Sequence, residues 1–317
     1  VLSYSLKRLV ALLPVLAVVS IVIFAIIHLT PGNPARAILG PEASAQDVDA
    51  LSQRLGLNRP LVVQYLDWLG HAATGDLGDS LFLRKPVTQA IVDNAVPTMQ
   101  LAVVALLVAI LIAVPLGTLA ARWRGSALDA VAMGVSLVGM AVPSFVLGLI
   151  LILVFAVGLR VLPVAGYESL LDDPVAAVRY LILPSVSLGA VLAAFLLRTT
   201  RASVLDVMSS DYIEAARSRG VGESRLLFRH TLRNAGLPIV TAVGLTFGAL
   251  ITGAVVTETI FNIPGIGSLL VNAIKRRDYP VIQGVVMFAT LAYLTVNLVV
   301  DLVYGLVDPR IRLSDNS

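Results

Sequence analysis

Asp211 and Glu214, three residues apart, open the stretch DYIEAARSRG, and Gly220 closes it. The spacing predicts a short helix in which Asp211 is the N-cap, Glu214 completes a capping box and Gly220 supplies a left-handed stop. Arg217 and Arg219 fall in its last turn, where cations suit the helix dipole. Two turns of helix, about 12 Å, are marginal alone in water and need a partner surface. Ala215 and Ala216 expose little side chain, so another protein could approach that face closely. The chemistry on offer is docking rather than bond making. The plainer alternative is an arginine-rich loop that fixes topology and touches lipid headgroups.

Residues for bond making are sparse. The chain has no cysteine, which removes disulfides, thiol chemistry and cysteine-ligated metal. None of its three lysines, Lys7, Lys85 and Lys275, follows a glycine, so no P-loop can cradle ATP phosphates. His28, His71 and His230 are scattered and form no HExxH pair, and no GxSxG nucleophile turn occurs. Glu258 and Asp301 approach apolar runs, but both fall near run ends, where pairing with an arginine or capping suits them better than ion coupling. A proton- or sodium-driven carrier is therefore poorly supported.

The elements that must hold the 211–220 helix are membrane spans. Apolar residues make up 57% of the 317 and charged residues only 14%, against about 25% charged in a soluble domain. Mean hydropathy is +0.90. Such a chain needs a bilayer as solvent. Six apolar runs, near 9–29, 97–121, 130–158, 180–197, 237–258 and 281–305, are long enough to cross it. The first follows Lys7 and Arg8 but lacks a small-residue cleavage site, so it reads as a retained span.

Orientation follows from the loops. With the N-terminus inside, segments 1–8, 122–129, 198–236 and 306–317 carry 13 basic residues in 67, whereas 30–96, 159–179 and 259–280 carry 10 in 110. The denser set belongs in the cytoplasm, with both termini. Lys275, Arg276 and Arg277 are an exception on the outside. Pro14, Pro115, Pro143 and Pro184 punctuate the spans, either as common membrane-helix kinks or as hinges of a moving pathway. Gly244 and Gly248, with Gly253 a turn further on, would let a second helix come close. A second short helix is expected over 223–234. In the outer segment 31–96, Ser44 precedes an apolar repeat that Gly56 stops, and Pro60 opens another. That segment is either a lid that receives a partner or a passive cap.

The pattern Glu214-Ala215-Ala216, three residues, Gly220, then Leu237-Pro238 at the mouth of the next span, resembles the EAA loop of membrane subunits of binding-protein-dependent ABC importers. The resemblance covers nearly the whole chain and points to the dipeptide/oligopeptide/nickel branch of permeases. It is carried by TPGNPARAILG at 30–40, GDLGDS at 75–80, NAVPTMQLA at 94–102, VPSFVLGL at 142–149, LPVAGY at 162–167, TETIFNIPGIGSLL at 257–270, RRDYPVIQGVV at 276–286 and DLVYGLVDPRIR at 301–312. Asn33 stands where the family often has Asp, and Thr257 where Val is usual.

The resemblance implies an all-α polytopic membrane protein of the type I ABC importer permease kind, a single permease domain over 1–317 with six transmembrane helices. It makes 31–96 an extracytoplasmic segment and 198–236 a cytoplasmic coupling loop. Asp211, Tyr212, Glu214, Ala215, Ala216 and Gly220 would couple to a separate ATPase. No cofactor is implied for this chain, since ATP and magnesium would be bound by two partner ATPase subunits. The other implied partners are a second homologous permease subunit, an extracytoplasmic binding protein and membrane lipid, with no nucleic acid. The implied setting is the bacterial inner membrane, and the implied function is import of di- or oligopeptides. Nickel or a nickel chelate is the alternative cargo, and a self-sufficient carrier or intramembrane enzyme the alternative class.

Overall fold

The computed structural model describes residues 2–29, 34–40, 42–54 and 56–307. The ends of two quoted stretches, 30–33 and 308–312, lie outside the described residues, as does the rest of the C-terminal segment. The first helix, α1 (Leu2–Leu29), leads into three short ones, α2 (Pro34–Leu39), α3 (Ala45–Arg54) and α4 (Leu61–Ala73). Long helices α5 (Val87–Arg122) and α8 (Pro174–Met208) flank a broken element made of α6 (Ala127–Ala141) and α7 (Ser144–Leu151), which runs on as π-helix to Gly158. Then come α9 (Asp211–Ser218), α10 (Glu223–Arg225) with a π-helical run to Thr231, α11 (Leu232–Gly253), α12 (Val255–Phe261), α13 (Ile266–Arg276) and α14 (Tyr279–Val307). Among the described residues there is no strand, only an isolated bridge between Asp79 and Pro86.

Three of these helices, α5, α8 and the Tyr279–Val300 part of α14, are long and apolar enough to cross a bilayer. The bent pair Ala127–Ala141 and Ser144–Gly158 makes a fourth if it counts as one span. The protein is thus an all-α polytopic membrane protein. The pair is bent by 100° at Val142-Pro143, because Pro143 cannot donate a helical hydrogen bond and pushes its predecessor out of helical geometry. Val142 adopts an extended conformation there. Pro115 and Pro184 sit inside unbroken helices, so among the prolines singled out Pro143 is the one that breaks a span.

α5 and α8 form the centre. Their contact is a ladder of small residues, Ala105, Ala109, Ala113 and Gly117, one per turn and all buried. A Cβ on Gly189 of α8 would lie 2.6 Å from the Ala105 carbonyl oxygen, so the backbones meet directly. The expected role of Gly244 also holds, since a Cβ there would collide with Val300 of α14. The surroundings of Gly253 are outside the described set.

Several boundaries differ from the sequence expectation: α5 starts at Val87, not 97, and two further differences lie beside α9. The fourth span was expected to end at 197, but α8 runs 35 residues to Met208, about 52 Å. Arg198, Arg201 and Asp206 are tolerated in a helix that leaves the hydrocarbon, and no breaker occurs before Ser209-Ser210. The helix expected over 223–234 is not separate. It is a short turn and a π-helical run that merge into α11, so the chain passes through Leu237-Pro238 without a break. Within 31–96 the helix signals are as expected: the Ser44 Oγ accepts from the Asp47 amide at 3.1 Å, and Gly56 takes φ +69°.

Candidate functional site

α9 follows α8 after two serines, and those serines explain where the sequence reading of its start fails. The Ser209 Oγ donates to the Asp206 carbonyl oxygen at 2.8 Å, and the Ser210 Oγ to that of Val207 at 2.5 Å. Both hydroxyls turn back to satisfy the last carbonyls of α8. Ser210, not Asp211, occupies the N-cap position, and no side chain caps α9. Asp211 and Glu214 are exposed carboxylates in the first turn, helping through the dipole and not through a capping box.

The stop of α9 is as expected. Gly220 has φ +79°, the Gly220 amide donates to the Arg217 carbonyl oxygen at 3.0 Å, and the Val221 amide to that of Ala216 at 3.2 Å. That pair of bonds is a Schellman cap, and the left-handed residue it needs has no Cβ. Ile213 is the buried side of the helix, where it packs towards α8 and the π-helical run. Tyr212 is held by the Asn234 Nδ2, which donates to its hydroxyl at 2.6 Å. Asp211, Tyr212, Glu214, Ala215 and Gly220 are exposed, and Ala216 is half-buried. The residues expected to couple therefore form one small ledge with an outward face.

Glu223, which the sequence reading passed over, ties that ledge to a long helix. Its Oε1 accepts from the Arg217 Nε at 2.7 Å, while its Oε2 lies 3.1 Å from Arg122 at the end of α5. The bond from Arg217 holds the Glu223 carboxyl below its ordinary 4.5. A carboxyl depressed in this way contributes fully above its unfolded value, and the link loosens only as pH falls below it. Nearby, the Arg201 guanidinium grips buried Asp129 with both arms, at 2.6 and 2.8 Å, and the Gly125 amide donates to the same carboxylate at 2.9 Å. This fork fixes the start of α6 to α8. Beneath lies a shared core of Ala121, Val204, Leu227, Ala235 and Ile239. A push on α9 thus meets α5, α8 and α11 together.

At the opposite ends of α5 and α8, two buried acids staple loops. The Glu258 Oε1 accepts from the Thr98 hydroxyl at 2.6 Å, and its Oε2 from the Ser268 amide at 2.9 Å, which caps α13. The Ile266 amide donates to the same Thr98 oxygen at 2.8 Å. Capping was one expected role for Glu258; among the described residues it has no arginine partner. The side chain of Asp301 lies outside the described set. Asp278 accepts from the Ser80 hydroxyl at 2.5 Å and from the Leu81 and Phe82 amides, both at 3.3 Å. GDLGDS is thereby fastened to the α13–α14 turn.

Among the described residues no group of three or more His, Cys, Asp or Glu could hold a metal ion. His71 bonds the Asp67 carbonyl oxygen at 2.8 Å through its Nδ1. The geometry offers a docking ledge, stiff connections to it and long apolar helices.

The chain also matches known proteins over nearly its whole length. Residues 113–313 match the family described as binding-protein-dependent transport system inner membrane component, and residues 1–102 match the N-terminal family of such membrane components. The chain is 42% identical over 311 residues to the glutathione transport system permease protein GsiC of Salmonella choleraesuis, covering 98% of this chain and 99% of the relative. GsiC of Escherichia coli K12 is similar to the same degree and over the same span. The chain therefore belongs to the family of inner membrane components of binding-protein-dependent ABC importers, as a multi-pass permease subunit and not an enzyme.

Proposed function

We propose that this permease imports di- or oligopeptides, paired with a second homologous permease and driven by two ATPase subunits that dock on the 211–220 ledge. As a component of a binding-protein-dependent system it works with a substrate-binding protein and an ATPase; the pairing, the stoichiometry and the docking residues belong to the proposal. ATP-driven closure of the ATPases would draw the two α9 helices together. Arg217, Glu223 and Arg122 would pass that movement to α5, swinging the spans between inward- and outward-open states. The observation that carries this reading is α9 itself, a capped helix with an exposed small-residue face whose back is wired to the spans. The cargo class is supported by the relatives named for glutathione, a tripeptide-like solute. Self-sufficient carriers and intramembrane enzymes are not favoured by the family.

The remaining span assignment and the orientation are also part of the proposal: six spans, both termini and 198–236 in the cytoplasm, 31–96 and 259–280 outside. Because the natural chain has no cysteine, a single Ser209→Cys can be labelled without background. Ser209 is exposed, and its thiol replacement should react with an impermeant maleimide only after cells are opened. Labelling in intact cells would invert the topology.

Uptake of labelled di- and tetrapeptides, and of nickel, by cells with and without the gene tests the cargo. Loss of both uptakes on deletion is expected; loss of nickel uptake alone would overturn the peptide reading. A second assay addresses the link. Glu223→Gln should keep ATP hydrolysis within about twofold while lowering peptide moved per ATP severalfold, because a solvent-exposed pair contributes little to folding stability. An unchanged ratio would remove Glu223 from the transmission.

A further inference from the structure

A cavity of about 560 Å³ opens between the 82–85 loop, Tyr167 and the α12–α13 hairpin, at the end of the molecule away from α9. Small-molecule sites run from about 300 to 1,000 Å³ and combine apolar walls with a few placed polar groups. This cavity has that make-up. Phe82 and Tyr167 contribute aromatic surface, and α13 contributes a polar stripe of Ser268, Asn272 and Arg276, one residue per turn. Asn262 adds a second carboxamide from the hairpin turn.

The charges at the cavity, those of Lys85, Asp93, Arg276 and Asp278, sum to zero but are unequally engaged. Lys85 is paired with Asp93 at 2.7 Å, and Asp278 is spent on Ser80 and the loop amides. The Arg276 guanidinium lies 5.9 Å from the centre of the Phe82 ring and has no carboxylate partner among the described residues. Nor do the Asn262 and Asn272 carboxamides have a side-chain hydrogen bond there. The turns around them are tightly shaped. Asn262 and Arg277 end α12 and α13 in the left-handed region, at φ +51° and +55°, and Arg84 beside the loop is at +52°. Non-glycine residues held in that region are mildly strained and are found often at functional sites.

We infer that this cavity is a low-affinity peptide site, in which Arg276 receives the C-terminal carboxylate and Asn262 and Asn272 bond the main-chain amides. The inference rests on the peptide reading above. A carboxylate and an amide backbone are what peptides share whatever their side chains, a guanidinium suits the first, and a carboxamide donates and accepts as the second requires. Binding by these groups alone is sequence-tolerant, as a handover site between a binding protein and a pathway must be.

The test is equilibrium binding of labelled dialanine, and of its C-terminal amide, to the purified complete importer without binding protein. Wild type should bind dialanine about tenfold tighter than the amide, about 1.4 kcal/mol. Arg276→Gln should remove that preference and leave the amide unchanged, Asn272→Ala should weaken both, and Lys275→Gln, outside the cavity, should weaken neither. Absence of saturable binding by wild type, or an equal loss of both probes in Arg276→Gln, would overturn the site. So would intact probe binding with lost stimulation of ATP hydrolysis by the binding protein, which would give the cavity to an acidic surface of that protein. Peptide uptake by the wild-type importer, measured in parallel, separates the failures. Uptake with carboxylate-blind binding sinks the site alone, whereas no uptake of any peptide sinks the functional reading and the site with it.

Discussion

Uptake is expected to fall to background when Gly220 becomes valine, with the chain still inserted in the membrane. At φ +79° a β-branched residue is strained by about 1–3 kcal/mol, comparable to the stability of so short a helix. The two cap bonds at Arg217 and Ala216 would be lost, α9 would overrun or unwind, and Arg217 would leave its register with Glu223. Gly220→Asn, which tolerates left-handed geometry, should retain most uptake, with Gly220→Ala between the two. Co-purification of the ATPase and labelled-peptide uptake check the series. Wild-type values for both in Gly220→Val would refute the assignment of α9 as the joint.

Glu258→Ala carries the largest expected loss of stability. The carboxyl is fully buried; its removal leaves a void, takes the partner from the Ser268 amide and leaves the Thr98 hydroxyl only the longer contact to the Asn94 carbonyl oxygen. A lost buried hydrogen-bond partner costs about 1–3 kcal/mol and the void adds to it, so a total of about 3 kcal/mol is expected, read as a much lower unfolding temperature in detergent. Glu258→Gln should be far milder. Its amide can donate to the Thr98 oxygen and its carbonyl accept from Ser268, while the Thr98 hydroxyl turns to the Asn94 carbonyl oxygen, now at 3.4 Å. Equal stability of the alanine variant and wild type would show that the α12–α13 hairpin is held by packing alone.

The contrast between these two residues shows what was legible beforehand. Gly220 was readable because a helix stop is a local event: one residue type, one dihedral region, a fixed distance from an acidic start. The same locality misled at Asp211, whose spacing to Glu214 fits a capping box but whose place was taken by Ser210, facing the end of α8. A helix end three residues upstream decided it, and no rule for isolated helices contains that information. Glu258 was visible as an acid near a span end, but its partner Thr98 is 160 residues away, and Thr98 has no feature of composition to mark it. Glu223 was hidden differently: it lies outside α9 and six residues from Arg217, beyond helical spacing. The apolar cores of α5, α8, α14 and the bent α6–α7 pair were plain from hydropathy. The 52 Å reach of α8 was not, because polar residues beyond the bilayer look alike in loop and helix until a breaker appears.

The central claim is that this chain moves solute only when a separate ATPase pushes on α9. It is tested most directly by uptake of labelled dipeptide into proteoliposomes containing both permeases, with binding protein present, ATP within reach of the ATPases, and the ATPase subunits either included or omitted. Uptake that requires the ATPase subunits and ceases when Gly220→Val replaces the wild-type chain is the expected result. Uptake that persists without them would contradict it.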